Sequence, residues 1–143
     1  MLGEKIYELQ GKITSTRVVP ALDTHNPLGL QSPVRMETTF QGQGRLLGQN
    51  VTDIGTYYAA PQQDGTLFGE GQGIVMAQDG STLSWHGNGR GKPTGKGLGA
   101  TWRATVYYLT QSQKFAALNN VPCVIEWEVD ENGNAKGSAW EWR

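Results

Sequence analysis

The strongest constraint on the fold of this chain is a series of eight segments in which apolar and polar residues alternate, joined mostly by short turns that contain glycine. Alternation with a period of two is typical of β-strands that have one face in the core and one toward solvent. The predicted strands lie near 2–18, 34–47, 50–60, 66–78, 81–90, 98–109, 121–130 and 135–143. Because short turns join antiparallel neighbours, the pattern predicts an all-β meander.

Four short turns predict the register of this meander. Asp64-Gly65, Asp79-Gly80 and Asn132-Gly133 are typical of two-residue type I′ turns, in which both central residues have positive φ. Gly48-Gln49 fits a type II′ turn, which takes glycine first. A turn of known length determines which residues of the flanking strands lie opposite each other. The four turns therefore predict the face on which each side chain lies.

Pairing of the first strand with the last would close the meander and remove its exposed edges. We therefore expect residues 1–143 to form a single domain, an eight-stranded antiparallel up-and-down barrel, with an open or two-sheet arrangement as the alternative. Two longer connections, 19–33 and 91–97, should lie at the same end of the barrel. The segment 110–119 could form a short helical turn.

Composition and motifs narrow the possible functions. The net charge is −1 and there is no basic stripe, which argues against a nucleic-acid partner. No apolar run approaches the ~18 residues of a membrane span, and the charged start MLGEKIYELQ does not resemble a signal peptide. We therefore expect a cytoplasmic protein without a membrane partner. The lone Cys123 excludes an intramolecular disulfide, and no metal-ligand spacing or complete nucleotide fingerprint is present, so we expect neither a metal site nor a nucleotide-binding loop.

The predicted register places several polar side chains on the apolar face that should form the interior. A carboxylate in such a place costs several kcal/mol unless it is hydrogen-bonded, paired or protonated. Inward glycines also leave gaps beside large tryptophans, which favours a ligand pocket. Glu70 is the candidate catalytic residue. The candidate ligand-binding residues are Tyr57, Gln72, Trp85, Asp53, Phe40, Trp102, Trp127 and Trp140. A solid core with a small wet polar cluster is the competing interpretation.

The chain resembles the allene oxide cyclase-like barrels, which include plant allene oxide cyclases, dirigent proteins and bacterial relatives. The resemblance lies in the whole-chain meander, in GTLFGEGQGIVMAQDGSTLSWHGNGRG and in the final WEVDENGNAKGSAWEWR. It implies a calycin-like barrel without a cofactor, often trimeric or dimeric, with a hydrophobic cavity. Plant cyclases use an inward glutamate to stabilise developing positive charge, and the resemblance would assign that role to Glu70.

Three functional hypotheses follow from the sequence. The first is a cofactor-independent cyclase or isomerase of an apolar substrate, and the second is a barrel that binds a small lipophilic molecule without chemistry. The third is a solid barrel that serves assembly as a dimer or trimer, with His86 and outward glycines 69, 71 and 73 in the subunit interface.

Overall fold

The structure is a computed structural model that describes residues 2–21 and 32–143, and these residues form a closed barrel. Its strands are β1 (Leu2–Pro20), β2 (Val34–Leu46), β3 (Gln49–Pro61), β4 (Leu67–Ala77), β5 (Thr82–Pro93), β6 (Ala100–Leu109), β7 (Cys123–Val129) and β8 (Asn134–Trp142). Each strand is antiparallel to its sequence neighbours, and β1 also pairs with β8. The predicted all-β, single eight-stranded barrel is confirmed.

A short 3₁₀ helix, Gln113–Leu118, lies between β6 and β7, where the sequence predicted a helical turn. No helix in the described part of the chain is both long and apolar enough to cross a membrane.

Three of the four predicted turns contain one residue more than predicted. The loops are 63–65, 78–80 and 131–133, and backbone hydrogen bonds from residues 62 to 66, 77 to 81 and 130 to 134 close them. Only the glycine at the end of each loop has positive φ. This is the three-residue hairpin, in which a left-handed glycine completes the turn and forms a bulge. Side chains support it, because Asp64 accepts the amide hydrogen of Thr66 and Asp79 that of Ser81.

The extra residue in the 63–65 and 78–80 loops inverts β4 relative to the prediction. Val75 pairs with Asp53 on one side and Leu83 on the other, and it is fully buried. The even-numbered residues of β4 consequently lie on the outer face. The predicted inward orientation of Glu70 and Gln72 is therefore wrong, and so is the predicted outward orientation of glycines 69, 71 and 73. Because side chains alternate with a period of two, a slip of one residue moves the whole strand to the opposite face.

The 131–133 loop has the same effect on β8. Ala135 and Ala139 are buried, and the odd-numbered residues of this strand face inward. The predicted inward orientation of Trp140 is wrong, because Trp140 lies on the outer face beneath the Lys5 ammonium group. Trp142 lies on the same outer face and is 55% exposed.

The fourth turn also differs from the prediction, but it leaves the faces unchanged. Leu47 and Gly48 form the two-residue turn, with φ of 49° and 77°, in place of Gly48-Gln49. Phe40 consequently lies opposite Gly55. A slip of two positions preserves the alternation, so Phe40, Asp53 and Tyr57 all face inward as predicted.

The interior differs from one end of the barrel to the other. The end that carries the 3₁₀ helix is packed solid with apolar side chains that are at most 1% exposed: Leu46, Val75, Leu83, Phe115, Leu118 and Cys123. Polar groups and aromatic rings occupy the middle. The opposite end, where the 63–65 and 131–133 loops lie, opens into a groove. The candidate site lies between the solid end and this mouth.

Candidate functional site

The centre of the candidate site is the carboxyl group of Asp53, which β3 directs into the barrel. The residue is 3% exposed. One carboxyl oxygen accepts a hydrogen bond from the Tyr7 hydroxyl at 2.7 Å, and the other accepts one from Trp85 Nε1 at 2.9 Å. Burial raises the pKa of Asp53 to about 6, because desolvation of the charged form outweighs the two hydrogen bonds, which lower the pKa. The group can therefore gain or lose a proton close to neutral pH.

Glycines on β3 and β4 allow Trp85, which lies on β5, to reach this carboxyl group. A Cβ atom added to Gly73 would lie 2.4 Å from Trp85 Nε1, and one added to Gly55 would lie 2.4 Å from Trp85 Cζ2. Any larger residue at Gly73 would displace the indole. The inward glycine therefore serves as a seat for the ring, and it makes the hydrogen bond to Asp53 possible.

The other two inward tryptophans have similar seats. A Cβ atom on Gly69 would lie 2.5 Å from Trp102 Cζ3, and one on Gly137 would lie 2.6 Å from Trp127 Cε3. Gly91 also faces the Trp102 ring. Much of the space beside the inward glycines is thus filled by indole rings from other strands, and the remaining space forms one small cavity.

This inner cavity has a volume of about 80 Å³. Its aromatic walls are Phe40, Trp85, Trp102 and Trp127, and its polar side chains are Tyr7, Asp53, Tyr57 and Tyr108. The Phe40 ring stacks on Trp85 with centroids 6.2 Å apart and contacts Trp127 at 4.6 Å. Backbone of β4 and β5 at Gly71, Gly87 and Gly89 completes the wall. The cavity is therefore mostly apolar, with its few polar groups supplied by one carboxyl and three hydroxyls.

Tyr57 and Trp102 separate the inner cavity from the mouth groove, because both residues line both spaces. Their rings meet edge to face with centroids 5.7 Å apart. The Tyr57 hydroxyl accepts a hydrogen bond from Trp127 Nε1 at 3.3 Å. Burial raises the pKa of Tyr57, so this phenol is neutral at physiological pH.

The mouth groove is larger, with a volume of about 500 Å³. Its lining is mainly apolar and includes Ile13, Met36, Ala59, Leu67, Leu98 and Val129. Part of the connection 19–33, which we expected at this end, lies outside the described residues.

The structure brings six of the nine predicted site residues around the inner cavity: Phe40, Asp53, Tyr57, Trp85, Trp102 and Trp127. The side chains of the other three, Glu70, Gln72 and Trp140, do not reach the cavity. Glu70 borders the cavity only through its backbone, since its carboxylate lies on the outer face and accepts a hydrogen bond from Tyr58 at 3.1 Å. Gln72 and Trp140 also lie on the outer face.

Two further residues belong to the site, although sequence reasoning gave them only inward positions. Tyr7 holds the Asp53 carboxyl, and Tyr108 lines the cavity while being 3% exposed. Burial beside Asp53 raises the pKa of both phenols, so both are neutral. The sequence signal that could have identified both residues is a tyrosine hydroxyl at an inward position of a strand whose other inward residues are apolar.

Comparison with known proteins supports the fold of the whole chain. No family model matches the sequence, and no curated protein matches it significantly. Among solved structures, a protein of unknown function from Clostridium acetobutylicum aligns with a TM-score of 0.76 at 13% identity, covering 98% of each chain. A β-barrel-like protein from Acinetobacter baumannii aligns at 0.75 and 12% identity, covering all of this chain and 96% of the other.

A conserved protein of unknown function from Rhodopseudomonas palustris aligns with a TM-score of 0.73 at 11% identity, covering 99% of this chain and 97% of the other. At such low identity the likeness shows the fold alone. The chain is therefore an eight-stranded barrel of the same overall architecture as these three bacterial proteins.

Proposed function

We propose that this barrel binds one small, largely apolar molecule, whose polar end enters the inner cavity and whose body lies in the mouth groove. The observation that carries the proposal is the buried Asp53 carboxyl at the edge of a cavity with aromatic walls. Desolvation of a carboxyl group is costly, and a barrel built only for stability would gain by replacing it with a packed apolar side chain. The retained cavity fits a binding site better than a solid core.

The two volumes support a division of the ligand into a small end and a larger body. A cavity of about 80 Å³ is about half the size of an apolar cavity of ~150 Å³ that accommodates benzene, so it admits only a few heavy atoms. The mouth groove of about 500 Å³ lies within the range of ~300–1,000 Å³ that is usual for small-molecule sites. An elongated molecule uses both spaces.

A fluorescence titration with N-phenyl-1-naphthylamine, a neutral apolar dye, tests the proposal. Saturable binding of one dye per barrel should quench the emission of the tryptophans at the cavity through energy transfer. Ala104→Leu fills the cavity and should weaken binding of the elongated ketone 2-undecanone, measured by displacement of the dye, at least tenfold, whereas Thr105→Leu, on the outer face of the same strand, should leave it unchanged. Absence of saturable dye binding would contradict the proposal. Equal binding of the ketone by Ala104→Leu would contradict the use of the inner cavity.

A second candidate function is a cofactor-independent isomerase or cyclase. The observation that favours it is the pKa of Asp53, which at about 6 suits a group that exchanges a proton near neutral pH. In this proposal Asp53 takes the role that resemblance to the allene oxide cyclase-like barrels would assign to Glu70. Native mass spectrometry of freshly purified protein would identify a retained ligand to serve as the substrate. Asp53→Asn should abolish its conversion while binding changes only a few-fold, and full turnover by this variant would exclude the role.

We also propose that the barrel self-associates, as a dimer or trimer, through an apolar row on its outer face. Ile54 pairs with Ile74 across β3 and β4, and Leu109 of β6 lies two strands further along the same row. All three side chains are exposed. Ile74→Lys should convert the oligomer into monomers in analytical ultracentrifugation, whereas Gln43→Lys, on the outer face of β2, should not. A wild-type protein that sediments as a monomer at ~100 μM would refute the proposal.

A further inference from the structure

We infer that the inner end of the ligand carries an oxygen atom that accepts hydrogen bonds, of the carbonyl, ether or epoxide type, and that the hydroxyl groups of Tyr57 and Tyr108 bind this oxygen. The inference rests on the proposed function, because it names the ligand chemistry for the same cavity. It starts from the hydrogen-bonding capacity that the cavity walls leave unused.

The Tyr57 hydroxyl has a hydrogen to donate. It accepts a hydrogen bond from Trp127 Nε1, and an indole nitrogen is a donor only, so Trp127 cannot receive the phenolic hydrogen in return. No other described residue accepts that hydrogen, and Tyr57 lines the cavity. The bond from Trp127 polarises the O–H group and strengthens it as a donor. This hydroxyl is therefore equipped to donate to a group in the cavity.

The Tyr108 hydroxyl is a second unused donor. The side chain is buried and lines the same cavity, and its hydroxyl forms no hydrogen bond with any residue that the structure describes. Among the described side chains, the fully enclosed polar atom without a partner is Arg35 Nε, so the Tyr108 hydroxyl adjoins open space that a bound atom can occupy. An acceptor atom bound in the cavity would satisfy it.

The other polar groups of the cavity are already engaged with each other. The Tyr7 hydroxyl donates to Asp53, and the second carboxyl oxygen accepts from Trp85. The cavity thus offers two phenolic O–H groups that have no acceptor among the described residues. These unused donors favour an acceptor oxygen over a hydrocarbon end. The small volume of about 80 Å³ further limits this end to a compact group such as an acetyl group.

A double comparison of ligands and variants tests the inference. The ligands are 2-undecanone and 2-methyl-1-undecene, in which a methylene group replaces the carbonyl oxygen. Tyr57→Phe and Tyr108→Phe each remove one hydroxyl from the cavity, whereas Tyr58→Phe and Tyr107→Phe remove one from the outer face of the same strands. Affinities are measured by displacement of N-phenyl-1-naphthylamine, and the infrared carbonyl stretch of ¹³C-labelled 2-undecanone is recorded in each complex.

We expect each cavity variant to weaken the ketone about five- to tenfold and to leave the alkene within twofold, since a neutral hydrogen bond contributes about one decade in affinity. The outer-face variants should change neither ligand. In the wild-type complex, the carbonyl stretch should lie below its frequency in alkane solvent and return toward that frequency in the cavity variants. The wild-type spectrum gives a result even if a variant fails to fold.

Each other outcome is decisive. If the wild type binds the ketone and the alkene but the Tyr→Phe changes affect both equally, and the stretch is unshifted, the oxygen-binding inference fails while the proposed function stands. If undecylamine binds at least tenfold more tightly than the ketone, the cavity selects a cation and the inference fails. If none of the ligands displaces the dye and the dye itself does not bind, the proposed function fails.

Discussion

The Asp53 carboxyl should make the stability of the barrel decrease as pH rises from 4 to 7. Burial raises its pKa from the ordinary 3.8 to about 6 in the folded protein. Well below pH 4 the group is protonated in both the folded and unfolded states. Above pH 6 it is largely ionised in both, and the folded state bears the full cost of burying the charge. Between these limits the folded state binds more protons, so stability is lost as pH rises through the folded pKa.

The magnitude follows from the size of the shift. One pKa unit corresponds to about 1.4 kcal/mol, so a shift of about two units amounts to about 3 kcal/mol in total. Between pH 4 and pH 7, where most of this change occurs, the contribution of Asp53 to the free energy of unfolding should fall by about 2 to 3 kcal/mol.

Urea unfolding of the wild type and of Asp53→Asn at pH 4, 5, 6 and 7 measures this contribution. The asparagine side chain of the variant would keep one acceptor oxygen but would turn its NH₂ group toward another donor, so its own cost to stability should not depend on pH. The difference between the two proteins removes the titration of all other groups. That difference should fall by about 2 to 3 kcal/mol from pH 4 to pH 7. A difference constant within about 0.5 kcal/mol would refute the reasoning.

Three other predictions concern packing. Gly73→Ala places a Cβ atom 2.4 Å from Trp85 Nε1 and should lower the free energy of unfolding by about 1–3 kcal/mol through overpacking. Gly3→Ala, whose nearest contact would be 3.1 Å, should lower it less. Chemical denaturation measures both variants, and equal losses would contradict the close packing of the indole on Gly73. Burial raises the pKa of the Cys123 thiol to about 11. Iodoacetamide at pH 8 should therefore modify the thiol at least ~100-fold more slowly in the native protein than in the urea-unfolded protein. Similar rates would show that the thiol is accessible in the native protein. Phe115→Ala should lower stability by about 3–5 kcal/mol because this ring fills the solid end of the barrel, and a loss below about 1 kcal/mol would show that the end is loosely packed.

The sequence predicts the closed barrel because its evidence is repeated in every strand. Alternation in each strand, short turns and the need to pair both edges all lead to the same answer, and small errors in strand ends do not change it. The inward faces of β1, β2, β3, β5, β6 and β7 agree with the prediction, and they supply six of the nine predicted site residues.

The faces of β4 and β8 could not be obtained in the same way. An Asx-Gly pair fits both a two-residue and a three-residue hairpin loop, and the difference of one residue inverts the strand. Hydrophobicity favoured the wrong answer, because Trp140 and Trp142 are more apolar than Ala139 and Gly137. The inner face of β8 carries small residues because the Trp127 ring already occupies the space above Gly137. The orientation of β8 therefore depends on how its side chains fit in size against those of β7. The sequence of β8 alone does not contain this information.

The solid end of the barrel, filled by Phe115 and Leu118, has a kinetic consequence. In the described chain it leaves the mouth groove as the route by which a molecule in the inner cavity enters and departs. Tyr57 and Trp102 lie across that route. Entry and exit then share one barrier, so a change that raises this barrier without contacting the bound ligand should slow association and dissociation by the same factor.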